Sequence, residues 1–268
     1  MRLDASGKVS LDHIYTAPDP RTYFQVLRPL GYRVPQLAKP YFEKTVKEYG
    51  EAEQVAAPRV LDIGCSYGIN AALLKYDATM DELYARYDGS GPATRAGLIE
   101  RDRHLSRSRT PAHPLRFTGL DASAPALAYA REAGFLDDTV NADLESHDPT
   151  PRQRDRLAGT DVVISTGCIG YVTERTLTRV VRAQDGRLPW MAHFVLRMFP
   201  FGRVEAALEE LGYRTTRVDE VFRQRRFAGP QEQRGVLDSL AAAGVDASGL
   251  EEDGWLYAQL YLSRPRNR

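Results

Sequence analysis

The chain has 268 residues, of which 43% are hydrophobic and 27% charged, and its 36 Lys+Arg are balanced by 36 Asp+Glu. Such a length buries one large core, and ordinary glycine and proline counts exclude a collagen-like or low-complexity chain. Zero formal net charge leaves no global attraction for nucleic acid or for an anionic membrane surface.

Cys65 and Cys168 are the two cysteines, too few for a disulfide framework or a four-cysteine zinc site, and no metal is expected. The first residues show no apolar signal segment, and no window is apolar for long enough to span a bilayer. The expectation is a cytoplasmic protein with a small-molecule substrate and neither a nucleic-acid nor a membrane partner. The sequence leaves the oligomeric state open.

In chain order, residues 1–33 carry turn signals and a dense set of aromatics, among them Tyr15, Tyr23, Phe24 and Tyr32. Leu37, Phe42, Val46 and Tyr49 then recur at helical spacing, predicting a helix over 35–54. A short apolar strand at 58–64 runs into a glycine, and a helix follows over 69–75. Thr79 with Glu82 three residues later reads as a capping box opening a helix at 79–87. Gly89 to Pro92 breaks the chain before a second helix at 93–107.

Strands are expected at 115–120, 139–144, 161–165, 191–199, 213–222 and 255–263. Helices are expected at 125–133, 174–182, 204–211 and 230–243, the first of these stopped by Gly134. Strands alternating with helices predict an α/β fold, a mostly parallel sheet with helices on both faces. The division expected is an N-terminal helical cap over 1–57 and a sheet domain over 58–268 with a helical insertion at 77–110.

The most informative stretch is Val60-Leu61-Asp62-Ile63-Gly64-Cys65-Ser66-Tyr67-Gly68, a strand ending in an acid before a glycine loop that opens a helix. Gly64 and Gly68 permit tight turning and close approach of backbone to a ligand. Ser66 stands where a dinucleotide fingerprint has its second glycine, and no Gly-Lys-Ser/Thr follows to make a phosphate loop. Asp62 before the loop favours a cationic ligand group over a phosphate. Asp121 ends the next strand, where an acid binds ribose hydroxyls. Asp143 follows the strand after that, where it accepts from an adenine amino group while the Leu144 amide donates to the ring. Read singly, each acid is also a helix N-cap or a turn residue. Together they surround one crevice suited to a nucleoside with a positively charged tail.

This set resembles the class I S-adenosylmethionine-dependent methyltransferases. Residues 62–68 resemble their first motif, Asp121 and Asp143 their ribose- and adenine-binding acids, and residues 161–168 their fourth motif. The resemblance covers about residues 58–222. It implies a Rossmann-like seven-stranded sheet with the last strand antiparallel, and S-adenosylmethionine as cofactor. Cofactor contacts are implied for Asp62, Gly64, Cys65, Ser66, Gly68, Asp121, Ala122, Asp143, Leu144 and Thr166. The chain departs from the family in the 57 residues separating Asp121 from Gly64, which mark 77–110 as inserted. It also lacks the Asn/Asp-Pro-Pro-aromatic signature of enzymes that methylate nucleic-acid amino groups.

Methyl transfer needs alignment and, for some acceptors, a proton acceptor. His193 on a strand reads as a structural residue or as that base. His13, His104, His113 and His147 are given no role. Tyr171, just past the fourth motif, reads as a sulfonium or substrate contact or as loop packing. Cys168 reads as a packing residue rather than a nucleophile. Tyr15, Tyr23 and Tyr41 read as a lid over the cofactor or as an apolar docking face, with the insertion expected to close over the site beside them. The Arg-rich run 101–116 reads as a solvated helix face or an anion site. Three functions follow in order. The first is a methyltransferase acting on a small molecule in secondary metabolism. The second is a relative, like azetidine-2-carboxylate synthase, that cyclises S-adenosylmethionine and releases methylthioadenosine. The third is a non-catalytic cofactor-binding module.

Overall fold

The computed structural model describes residues 3, 4, 6–109 and 114–266; His113 lies outside them. Helices α1 (Asp12–Tyr15) and α2 (Arg21–Leu27) form an arm that leads into α3 (Val34–Glu53). Then come β1 (Arg59–Ile63), α4 (Ile69–Tyr76), α5 (Met80–Arg86), α6 (Arg95–Ser108), β2 (Arg116–Asp121), α7 (Ala124–Glu132) and β3 (Asp138–Asn141). The second half alternates α8 (Pro151–Leu157), β4 (Val162–Thr166), α9 (Glu174–Arg182), β5 (Trp190–Leu196), α10 (Gly202–Glu210), β6 (Tyr213–Arg226), α11 (Pro230–Ala242) and β7 (Trp255–Pro265).

The seven strands order as β3-β2-β1-β4-β5-β7-β6. Strands β1 to β5 pair in parallel, and β7 runs antiparallel to both β5 and β6. This is the sheet the motifs imply. The central strands are buried on both faces, as parallel strands covered by helices must be, so β1 and β4 read as near-continuous apolar runs. One apolar cluster joins α3, α4 and α7 to the arm, and a second lies on the opposite face with α9 and α10. Strand order reverses between β1 and β4, which opens a crevice beyond their carboxyl ends.

The insertion is a helical pair as expected. Thr79 Oγ1 accepts from the Glu82 amide at 3.1 Å, and Glu82 Oε2 accepts from the Thr79 amide at 2.9 Å. Three helices, α1, α2 and α8, escaped the element-by-element sequence reading. In α8 the segment Pro-Arg-Gln-Arg-Asp-Arg-Leu has no apolar stripe to betray it, although Thr150 and Gln153 cap it reciprocally. In α2 the proline-flanked aromatics looked like turn punctuation. Strand β6 runs four residues past its predicted end, and that extension carries Gln224 and Arg225 to the crevice. Among the described residues no helix is long and apolar enough to cross a membrane.

Candidate functional site

The crevice is a cavity of about 570 Å³, within the range of small-molecule sites. Its floor is the loop after β1 (Gly64, Cys65, Ser66), the turn after β2 (Asp121, Ala122) and the end of β4 (Thr166, Gly167, Cys168). Its roof is the arm, with Tyr15, Tyr23 and Tyr32.

The glycine loop makes room by backbone conformation. Gly64 has φ +67°, and its amide donates to the Leu120 carbonyl at 2.8 Å. A Cβ there would stand 2.7 Å from Cys168 Cβ, too close for any side chain. Asp121 Oδ2 accepts from the Ser66 amide at 2.8 Å, and its Oδ1 accepts from the Ser123 amide at 2.8 Å. The acid is thereby locked to the loop. Burial raises its pKa despite those amides.

Asp62 is fully buried beneath this floor and does not line the cavity. Asn70 stands between, donating Nδ2 to both Asp62 oxygens at 3.1 and 3.2 Å. Burial pushes the Asp62 carboxyl up to about 8, against the Asn70 hydrogen bond. Three buried polar atoms of cavity-lining residues have no partner: Ser66 Oγ, Asn70 Oδ1 and Gln224 Oε1. Buried polar atoms are normally paired, so three orphans lining one cavity mark a polar ligand.

In the roof, Tyr23 packs edge-on against Tyr15 (5.9 Å), Tyr32 (6.2 Å) and Tyr67 (5.9 Å). Burial pushes Tyr15 up to about 12 and Tyr23 further. These phenols therefore stay neutral, offering ring faces and hydroxyl donors but no base. A hairpin closed by the Leu3–Val9 bridge completes the roof. The Val9 amide donates to Glu232 Oε1 at 2.9 Å, Ser239 Oγ donates to the Ser6 carbonyl at 3.1 Å, and a Cβ on Gly7 would meet the Gly235 carbonyl carbon at 2.8 Å. The hairpin thus rests on α11.

No protein-family model and no curated protein matches the chain in sequence. Solved structures do match over most of it. The 4+2 cyclase SpnF shares 14% identity over 84% of this chain and 81% of its own, with a TM-score of 0.40. A SAM-dependent methyltransferase from Geobacter sulfurreducens, solved with S-adenosyl-L-homocysteine, shares 15% over 83% and 91%, TM-score 0.37. Precorrin-6y C5,15-methyltransferase from Geobacter metallireducens shares 10% over 84% and 88%, TM-score 0.41. The fold is the class I S-adenosylmethionine-dependent methyltransferase fold, as strand order and the antiparallel β7 establish.

Of the residues expected at the site, Gly64, Cys65, Ser66, Asp121, Ala122, Thr166, Tyr15, Tyr23 and Tyr171 line the one cavity. Several others do not. Gly68 (φ +77°) opens α4 and packs toward Ala130 and Phe135 behind the loop. β3 ends at Asn141, so Asp143 lies in an exposed turn, accepting from the Glu145 and Ser146 amides. Leu144 is buried in the second apolar cluster. His193 is fully buried inside the sheet, its Nδ1 2.8 Å from Ser165 Oγ, and burial presses it down to about 3. A neutral ring that never reaches the cavity is no general base there. Tyr41 packs on Phe194 and Phe222 and donates to Glu220 Oε2, outside the cavity. The insertion contributes nothing to the lining.

Tyr171 stands at the rim, 49% exposed, and donates its hydroxyl to Asp4 Oδ2 at 2.6 Å. Cys168 packs its sulfur on the Ile63 carbonyl at 3.2 Å, and burial pushes the thiol up to about 12, which excludes a thiolate nucleophile. Sequence reasoning missed Asn70, Tyr32, Lys8, Gln224 and Arg225, all of which line the cavity. Asn70 sits two residues beyond Gly68, in the first turn of α4, and was within reach of the motif. The others arrive from the two ends of the chain with no local signature.

Proposed function

We propose that the cavity binds S-adenosylmethionine and that the protein is an S-adenosylmethionine-dependent enzyme acting on a small molecule. The observation that carries this reading is the convergence of the β1 loop, the β2 acid and the β4 end on one cavity holding orphaned polar atoms. When bound, the cofactor supplies a sulfonium that activates its attached carbons toward nucleophiles.

The residues fit that group. Asp121, already fixed by two amides, presents its remaining acceptor capacity to ribose hydroxyls. Ser66 Oγ and Asn70 Oδ1 accept from the ammonium of the methionine end. A cation at that place also favours the carboxylate form of Asp62 behind Asn70, against the burial that raises it. The Tyr15, Tyr23 and Tyr32 rings face a sulfonium with their negative faces, each worth about 0.5–2 kcal/mol. The roof excludes water from the reacting carbons.

A reaction within the cofactor itself is the second reading, favoured by the enclosed tyrosine roof. There the ammonium would first give up a proton to solvent, the amino group would attack the γ-carbon as the carbon–sulfur bond breaks, and methylthioadenosine would leave with the bonding pair, giving azetidine-2-carboxylate. Mass spectrometry after incubation with S-adenosylmethionine alone separates the two. Methylthioadenosine without an added acceptor selects cyclisation, and S-adenosylhomocysteine formed only with an acceptor selects transfer. Failure to bind S-adenosylhomocysteine in calorimetry overturns both.

A further inference from the structure

The cavity holds a cation that the nucleoside reading does not use. Lys8, on the N-terminal hairpin, is 8% exposed and lines the cavity. Its ammonium lies over the Tyr171 ring at 5.0 Å and the Phe199 ring at 6.0 Å. Among the described residues no acceptor is hydrogen-bonded to its Nζ. Burial holds it down to about 8, the Arg225 charge acts in the same direction, and Asp4 and Glu232 oppose. Ring faces recover only part of what a buried ammonium loses with its water.

Arg225 is 3% exposed at the same cavity, but Glu232 occupies its guanidinium at 2.9 and 2.7 Å. It is a positive wall rather than a second anchor. Gln224 beside it is 5% exposed with Oε1 unpartnered, an independent sign that a polar ligand enters here. The charged groups acting on Lys8 are Arg225, Asp4 and Glu232; Glu232 is engaged by Arg225, and Asp4 by the Ser6 and Lys8 amides and the Tyr171 hydroxyl. A monoanion matches the single positive charge that Lys8 brings to the cavity without a hydrogen-bonded acceptor among the described residues. A phosphate dianion would meet two carboxylates and a single free cationic donor.

We propose that Lys8 binds a carboxylate of the ligand held in this cavity. The inference rests on the nucleoside reading above. The carboxylate belongs either to the methionine end of S-adenosylmethionine or to a separate acidic acceptor, and the test separates them.

Wild type, Lys8→Met and Lys8→Arg are titrated calorimetrically with S-adenosylhomocysteine and with methylthioadenosine, which lacks the amino-acid end. If the cofactor supplies the carboxylate, wild type prefers S-adenosylhomocysteine at least tenfold. Lys8→Met then loses that preference while holding methylthioadenosine as wild type does, and Lys8→Arg keeps most of it. If an acceptor supplies it, neither nucleoside affinity changes. A panel from acetate to adipate, added to the methylthioadenosine-loaded protein, then shifts the labelled Lys8 side-chain resonance, and the matching amides do not. Equal nucleoside preference in all three proteins with no carboxylate response overturns the proposal. If methylthioadenosine fails to bind wild type, the cofactor reading falls, and the carboxylate panel on the free protein decides the role of Lys8 by itself.

Discussion

The arm and the insertion are the two segments outside the sheet pattern, and their tyrosines do opposite work. The arm turns Tyr15, Tyr23 and Tyr32 into the cavity. The insertion turns its aromatics toward the arm. Tyr84 donates its hydroxyl to the Tyr32 carbonyl at 2.6 Å, and Tyr87 stacks on Phe24 at 4.5 Å. Arg21 reaches the Ala93 carbonyl at 2.8 Å, and Arg95 the Pro18 carbonyl at 3.0 Å. Behind them Asp102 is fully buried, accepting from Tyr87 and, at 2.6 Å, from Tyr129, with Arg86 and Arg101 each 3.6 Å away. An arm short of its own core is thus held in place by a buttress, and the expectation that both segments cover the ligand is corrected. Aromatic content identifies segments that must pack; it does not say which face meets a ligand.

The strongest way to break this contrast is Asp102→Ala. It strands two buried tyrosine hydroxyls and two arginines, and costs about 3–5 kcal/mol of stability. Nucleoside affinity of the remaining folded protein should match wild type. Denaturant unfolding beside calorimetry reads both quantities, and affinity falling along with stability would place the insertion in the site.

Asp121→Ala on the cavity floor is the reverse case. Ribose hydroxyls lose a charged acceptor, and S-adenosylhomocysteine should bind more weakly by about 1–3 kcal/mol. Unchanged affinity in calorimetry removes Asp121 from the ribose.

In the roof, Tyr23→Leu keeps an apolar side chain but loses the ring face. S-adenosylmethionine should lose about 0.5–2 kcal/mol of affinity while the uncharged methylthioadenosine loses little. Equal losses for the two ligands would make Tyr23 a packing residue, like those of the insertion.

The smallest effect belongs to Tyr171→Phe. It removes the hydroxyl that Asp4 accepts at the exposed rim, worth about 1 kcal/mol. Amide exchange should quicken in residues 6–10 and not in β1 or β4. Uniform exchange across these segments would show that Tyr171 does not hold the hairpin.

Legibility in the sequence followed the same divide. The strand pattern, the glycine loop and Asp121 were readable because their residues are neighbours in the chain and their geometry is local. Asp143 was misplaced because β3 stops at Asn141, after four residues, and frees the acid to cap its own turn. His193 on its strand read as a structural residue or as a base, and the register that sets it opposite Tyr261 of β7 and beside Ser165 of β4 buries it mid-sheet, as the structural reading has it. Lys8, Gln224 and Arg225 were illegible because only topology brings residue 8 against residues 224 and 225. Before that meeting, one is a lysine in a polar N-terminus and the others are part of a charged strand.

The seating of the hairpin on α11 also sets an order of events during synthesis. Val9 bonds a residue 223 positions later, and Ser6 one 233 positions later. Residues 6–9 therefore find their place only after α11 has followed them out of the ribosome. Until α11 has emerged the cavity lacks the hairpin part of its roof, and the Tyr171 rim has nothing fixed to hold. Contacts of such separation form late and slowly. A nascent chain can complete the glycine loop and Asp121 well before it can enclose a ligand, so the closed pocket waits for the chain to extend through α11.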